Sequence, residues 1–139
     1  MIKSWIRTLA GIVVITLVIV SIFNRNTSHG SARTRKEMAE VCNGIVLFHI
    51  DKARLPRGFP TKAAEIYDEL VRDGRYIRNK ARWQQRHQFV DFFGTPYQFF
   101  LSTNTLTHQT MVGIGSCGPN KQCEGQIADD LYFERMLSE

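Results

Sequence analysis

The run LAGIVVITLVIVSIF, Leu9 to Phe23, carries no charge and is interrupted only by Gly11, Thr16 and Ser21. No soluble core of a small domain needs such a stretch, so it limits the chain more than any other feature. As a helix it spans about 22 Å, short of the roughly 30 Å hydrocarbon layer of a bilayer. Counted from Trp5 the length is about 28 Å, with Arg7 free to snorkel and Trp5 suited to the interface. A single membrane-anchoring helix over residues 1–23 is therefore expected. A cleaved signal peptide is the alternative, with Lys3 and Arg7 as its basic region. Its nearest small-residue cleavage site, Gly30-Ser31-Ala32, stands far behind the apolar run. Basic residues flank both sides, Lys3 and Arg7 before it and Arg25, Arg33, Arg35 and Lys36 after it, so charge sets no orientation.

With 139 residues the chain has room for one small domain besides the anchor. Residues 24–33 read as a linker or a continuation of the helix, and residues 34–139 as the head. Thr34 and Glu37 have the spacing of a capping box. Behind them Met38, Val41, Cys42, Ile45 and Phe48 recur on one helical face, and the helix should end before Leu55-Pro56. Cys42, on that face, reads as a buried thiol. A shorter helix follows, capped by Thr61, striped by Ile66 and Leu70, and ended by Gly74. Aromatic and β-branched residues from Thr95 to Gly115 predict two strands with a turn near Thr103-Asn104, and a last strand is expected over Leu131 to Met136. The fold class is α+β: a long N-terminal helix, half anchor and half amphipathic, packed on a small antiparallel sheet.

Three segments resemble a known family. Phe48-His49-Ile50-Asp51-Lys52-Ala53-Arg54-Leu55-Pro56 is similar to the end of the pseudopilin helix, Tyr-x-x-Asp-x-x-Arg-Tyr-Pro. DFFGTPYQF, Asp91 to Phe99, resembles the Asp-Pro-Trp-Gly-x-Pro-Tyr box. GIGSCGPNKQCEGQIADDLYF, from Gly113, resembles the closing Gly-x-Asp-Gly…Asp-Asp-Ile loop. The family is the major pseudopilins of type II secretion systems, related to type IV pilins. The resemblance implies a structural subunit of the inner (cytoplasmic) membrane that packs by its N-terminal helix into a short filament serving protein secretion. Its head would be periplasmic or extracellular, and its partners other pilin-like subunits and secretion-machinery membrane proteins. Small Gly11 would let helices approach closely. The family's leader, a glycine followed by Phe-Thr-Leu-x-Glu, has no counterpart ahead of Glu37, so the expectation is an atypical member lacking the prepilin leader.

The last of these segments admits several chemistries. Gly113-x-Gly115-x-x-Gly118 matches a dinucleotide fingerprint by letter, but Pro119 and the turn residues after it deny the helix start that a phosphate needs. Ser116 has no neighbouring base pattern that would make it a nucleophile. In the family this loop binds calcium. Asn120, Glu124, Asp129 and Asp130 offer hard oxygen ligands, Asp129 and Asp130 matching the family's acid pair, while Cys117 stands where its first loop aspartate would be. The cofactor expectation is thus none, or calcium. Cys117 and Cys123 bracket a Gly-Pro turn and suit a small disulfide-closed ring, which would clamp the loop in place of calcium. Two free thiols are the alternative, and C-x₅-C lacks the further pair a zinc site needs. A disulfide would also put the head outside the cytoplasm.

Eighteen Lys and Arg oppose thirteen Asp and Glu. Arg72, Arg75, Arg78, Lys80, Arg82 and Arg86 crowd one segment with Tyr76 and Trp83 among them. That is the chemistry of single-stranded nucleic-acid binding, and it supports a second reading: an accessory membrane-anchored module whose segment 72–86 recognises DNA or another anionic partner. A solvated loop, or one that pairs with a neighbouring subunit, is the plainer account and is favoured. The histidines show no metal-ligand spacing, and no catalytic constellation stands out, so an enzyme is not expected.

Overall fold

The computed structural model describes residues 2–73, 75–123 and 131–137, apart from the side chains of 2–11, 26, 27 and 73. Its dominant element is one helix, α1 (Ile2–Lys52), about 76 Å long at 1.5 Å per residue. The polar stretch 24–33 is thus helix continuation, not linker. Nothing in it breaks a helix: it has no proline, Ser28 Oγ donates to the Arg25 carbonyl at 3.0 Å, and Gly30 is buried. A Cβ on Gly30 would stand 2.6 Å from Phe92 Cδ1 and 2.9 Å from Phe93 Cε1, so the glycine gives these rings their seat against the helix.

The capping-box expectation is corrected by this continuity. Thr34 and Glu37 lie mid-helix, both buried, and their side chains are used in tertiary contacts. The C-terminal end is as expected. Ala53 takes a left-handed φ of 52°, its amide bonds to the His49 carbonyl at 2.8 Å, and Leu55-Pro56 follow. Arg54 then grips Glu69 through both guanidinium arms, at 3.0 and 2.9 Å, tying the end of α1 to the second helix.

That helix, α2 (Ala63–Asp73), begins one residue later than a Thr61 cap would place it, with the amides of Glu65 and Ile66 bonding to the Lys62 carbonyl. Gly74 lies outside the described residues. A further short helix, α3 (Lys80–Arg86), occupies the basic segment, where the sequence reading had no element. It closes on His87 at φ 57°, whose amide bonds to the Trp83 carbonyl.

The strands β1 (Gln98–Thr103), β2 (Thr110–Ser116) and β3 (Leu131–Met136) form an antiparallel meander in the order β1-β2-β3. Phe99 pairs Ile114, and Ile114 pairs Phe133. One sheet face meets α1: Met38, Val41, Cys42, Ile45 and Phe48, all buried, pack with Phe99, Val112, Ile114 and Leu131. Ile66, Leu70, Ile77, Trp83 and Phe89 belong to the same core, Phe89 lying against Phe99 with ring centroids 6.2 Å apart. The architecture is the expected α+β, a long helix packed on a small antiparallel sheet.

Candidate functional site

Two regions stand out: the uncovered stretch of α1 from Ile12 to Phe23, and a polar junction where α1, α3, the 91–97 loop and the end of β2 meet. From Ile12 to Phe23 every residue is exposed, the large apolar ones at 50% to 69%. A helix cannot keep such a surface in water without cost. This one is long and apolar enough to cross a membrane.

The junction is built on two buried carboxylates. Asp91 opens the 91–97 loop as an Asx turn: its Oδ1 accepts from the amides of Phe93 (2.9 Å) and Thr95 (2.8 Å), with Gly94 at φ 85° supplying the bend. Its Oδ2 accepts from Ser116 Oγ at 2.6 Å. Thr34 Oγ1 accepts from the Phe92 amide at 3.2 Å, which pins the same loop to α1. The Asp-x-x-Gly-x-Pro-Tyr pattern is thus the means by which helix, loop and sheet are fastened together.

Glu37, 1% exposed, receives Arg33 Nε on Oε1 at 3.1 Å and Arg86 on Oε2 at 3.0 Å, and Arg82 also pairs with it. Tyr97 donates its hydroxyl to Oε2 at 3.3 Å. Burial, with the Asp91 charge adding to it, raises the Tyr97 pKa well above the usual phenol range, so it stays a donor. Burial lowers the Arg82 pKa, and the charges of Arg33 and Arg86 lower it further. Three guanidiniums against the two buried carboxylates of the junction leave a local surplus of one positive charge. Arg33 also lies over the Phe92 ring at 5.5 Å.

The six basic candidates are not gathered on one surface. Tyr76 donates to Asp51 at 2.5 Å, the Asn79 amide to Glu40 at 2.8 Å, and Arg82 and Arg86 reach Glu37. Residues 76–86 therefore descend along α1 for about 21 Å, the rise between Asp51 and Glu37. Arg75 acts electrostatically on Asp51 at the upper end. Arg72 pairs with Asp68 at 3.7 Å, and Lys80 donates to the Arg72 carbonyl. Arg78 is exposed. Arg82 and Arg86 come together around Glu37, and Lys80 meets Arg72 at its carbonyl.

Cys117 and Cys123 are joined in a disulfide, Cα atoms 4.5 Å apart. Gly118 at φ 66° and Lys121 at φ 60° shape the ring. Asn120 Oδ1 accepts from the Gln122 amide at 2.8 Å, so this oxygen already serves the turn. Glu124, Asp129 and Asp130 lie outside the described residues. Among the described residues no three His, Cys, Asp or Glu side chains converge as a metal site. Gly113 and Gly115 sit within β2, and Ser116 Oγ is committed to Asp91. Cys42 is a buried free thiol, its pKa pushed up to about 12 by burial.

Glu37 is the residue that sequence reasoning misplaced. A signal was present: it shares the buried stripe of Met38 and Val41, and a carboxylate on an apolar face calls for cations from elsewhere in the chain. Searches against protein families, curated proteins and solved structures found no match for the chain.

Proposed function

We propose that this chain is a pilin-like structural subunit, anchored in the inner (cytoplasmic) membrane by its N-terminal helix, that assembles with like subunits in a secretion or pilus-type filament. The observation that carries this reading is the division of α1 into an uncovered apolar stretch, Ile12 to Phe23, and a later part that forms the core of an α+β head. One rigid helix thereby links the bilayer to the folded domain, and sister helices covering the apolar stretch would form the filament's axis. The junction at Asp91 and Glu37 holds the head at a fixed attitude on the helix, which a regular assembly requires. The Cys117–Cys123 bond favours a head on the oxidising, extracytoplasmic side.

The test is chemical cross-linking in native membranes, following the chain by size on a denaturing gel. A ladder of self-multimers is the expected result. Monomer alone, or one discrete band with another protein, would replace the filament subunit by an accessory anchored module.

A further inference from the structure

The Glu37 cluster carries more charge than it neutralises, and its position says what would complete it. Arg33 lies on α1 about 15 Å beyond Phe23, where the apolar run ends. Helical side chains lean toward the N-terminus, here toward the bilayer, and bring the guanidinium to about 10 Å from the hydrocarbon edge. The headgroup layer is roughly 5–8 Å thick on each side. Arg33 thus stands at its outer boundary, within a Debye length of about 8 Å from the phosphates. Arg82 and Arg86 meet the same carboxylate and share that level. Arg35 and Lys36, about 3 and 4.5 Å higher along α1 and turned around the helix from Arg33, are exposed. Of the two buried acids at this end among the described residues, Glu37 is shared among three arginines. Asp91, bonded to the neutral donors of Phe93, Thr95 and Ser116, offsets one more positive charge, so a positive surplus remains.

Side-chain exposures are 49% for Arg33, 29% for Arg82 and 23% for Arg86. Nε and Nη2 of Arg82 are themselves buried, so Arg33 is the member that a ligand reaches first and Arg82 adds its charge from behind. Phe92, 43% exposed, stacks beside Arg33 and limits how its planar fork is presented. A planar fork held at one angle suits a phosphodiester, which it can bind through two parallel hydrogen bonds.

We propose that the arginine cluster of Arg33, Arg82 and Arg86, with Arg35 and Lys36 at nearly the same height around α1, docks the head onto anionic phospholipid headgroups of the bilayer that α1 spans. The inference rests on the membrane-anchor reading. Its consequence is a head held down on the surface in anionic lipid, so that composition of the leaflet sets the angle at which the subunit meets its neighbours.

The experiment uses the full 139-residue chain in phosphatidylcholine bilayers, with spin-labelled phosphatidylglycerol or phosphatidylcholine as the probe. Paramagnetic resonance gives the fraction of each lipid held at the protein. Each basic residue close to such a surface is worth roughly fivefold in association, so phosphatidylglycerol should be preferred severalfold. Arg33→Gln should lower the preference. Arg35→Gln with Lys36→Gln, exposed side chains outside the cluster, should also lower it, and near-ultraviolet circular dichroism of the aromatic core confirms that each variant is folded. Equal retention of both lipids by the wild-type chain would overturn the proposal while leaving the anchor standing, provided the chain resists alkaline extraction. A preference unchanged in the variants would place its source at Lys3, Arg7 or Arg25 and equally overturn it. A chain released by alkaline carbonate would end both readings.

Discussion

Ser116 Oγ donates to Asp91 Oδ2 at 2.6 Å, and both residues are buried. The bond joins the end of β2, next to the disulfide, to the loop that Thr34 fastens to α1. Asp91→Ala removes the acceptor for Ser116 and for two backbone amides. With buried donors costing about 1–3 kcal/mol each when stranded, we expect a loss of about 3–5 kcal/mol. Ser116→Ala should cost only about 1–2 kcal/mol, since both partners of Asp91 in the loop remain. Urea midpoints of the detergent-solubilised chain give both values, and a Ser116 effect as large as that of Asp91 would contradict this ranking.

Among the described residues Glu37 is the carboxylate that the three arginines Arg33, Arg82 and Arg86 share. Glu37→Gln leaves their charges facing one another and should destabilise the head by about 3–5 kcal/mol, the cost of breaking a buried pair. Arg33, the most exposed of the three, should be the mildest to replace, with Arg33→Gln costing about 1 kcal/mol. The loss in Glu37→Gln should shrink when the urea titration is repeated with added sulfate, an anion that can stand in for the carboxylate.

What was legible in the chain was whatever depends on local pattern. The Met38-Val41-Cys42-Ile45-Phe48 stripe, the stop before Pro56, and the strand over Leu131 to Met136 all follow from periodicity and backbone preference. The errors at Thr34 and Glu37 have a common origin. A Thr and a Glu three residues apart look the same whether they cap a helix or reach across to another element. The choice depends on Phe92, Arg82 and Arg86, far along the chain. The layout of the basic segment was illegible for a related reason: its charge is local, but its partition between Asp51 and Glu37 is set by the path that 76–86 takes down α1. Helix α3 went unseen because seven residues carry too little periodicity to stand out.

Cys42 donates its thiol to the Val112 carbonyl at 3.6 Å, inside the helix–sheet interface. Burial raises its pKa from 9.0 to about 12. An unfolded thiol therefore loses its proton first, and the folded state binds more protons between these values. Stability from this group is complete below about pH 9 and is lost as pH rises toward 12. The head should weaken over that window, and Cys42→Ala should flatten the decline. Tyr97, also raised, would leave a residual slope. In the native protein at pH 8, maleimide should not label Cys42 until urea unfolds the chain.

The Cys117–Cys123 ring is short, so its effect through chain entropy is modest, about 2 kcal/mol. Reduction, or Cys117→Ser with Cys123→Ser, should lower stability by that amount. If the bond does the clamping that calcium performs in the pseudopilin loop, adding calcium or chelator to the oxidised protein should leave the midpoint unchanged. A calcium-dependent rise in the midpoint would assign the loop a metal, with Glu124, Asp129 and Asp130 as the first residues to replace.

Gly30 and Gly44 both lie within α1, yet replacing them should have different consequences. At Gly30 the obstructing atoms belong to the rings of Phe92 and Phe93. Phe92 is 43% exposed and can swing outward. Alanine also gains helix propensity, up to about 1 kcal/mol over glycine. Gly30→Ala should therefore be close to neutral for stability while loosening the loop's seat on the helix. At Gly44 a new Cβ would stand 2.9 Å from the Tyr76 carbonyl oxygen and 2.8 Å from Ile77 Cδ1. The carbonyl belongs to backbone that Tyr76 also holds through its bond to Asp51, and it has less freedom to retreat. Gly44→Ala should cost about 1–3 kcal/mol, in the range of an overpacked core. Thermal melts of the two variants separate the cases, and a Gly30→Ala loss equal to that at Gly44 would mean that the Phe92 ring is held as firmly as the backbone.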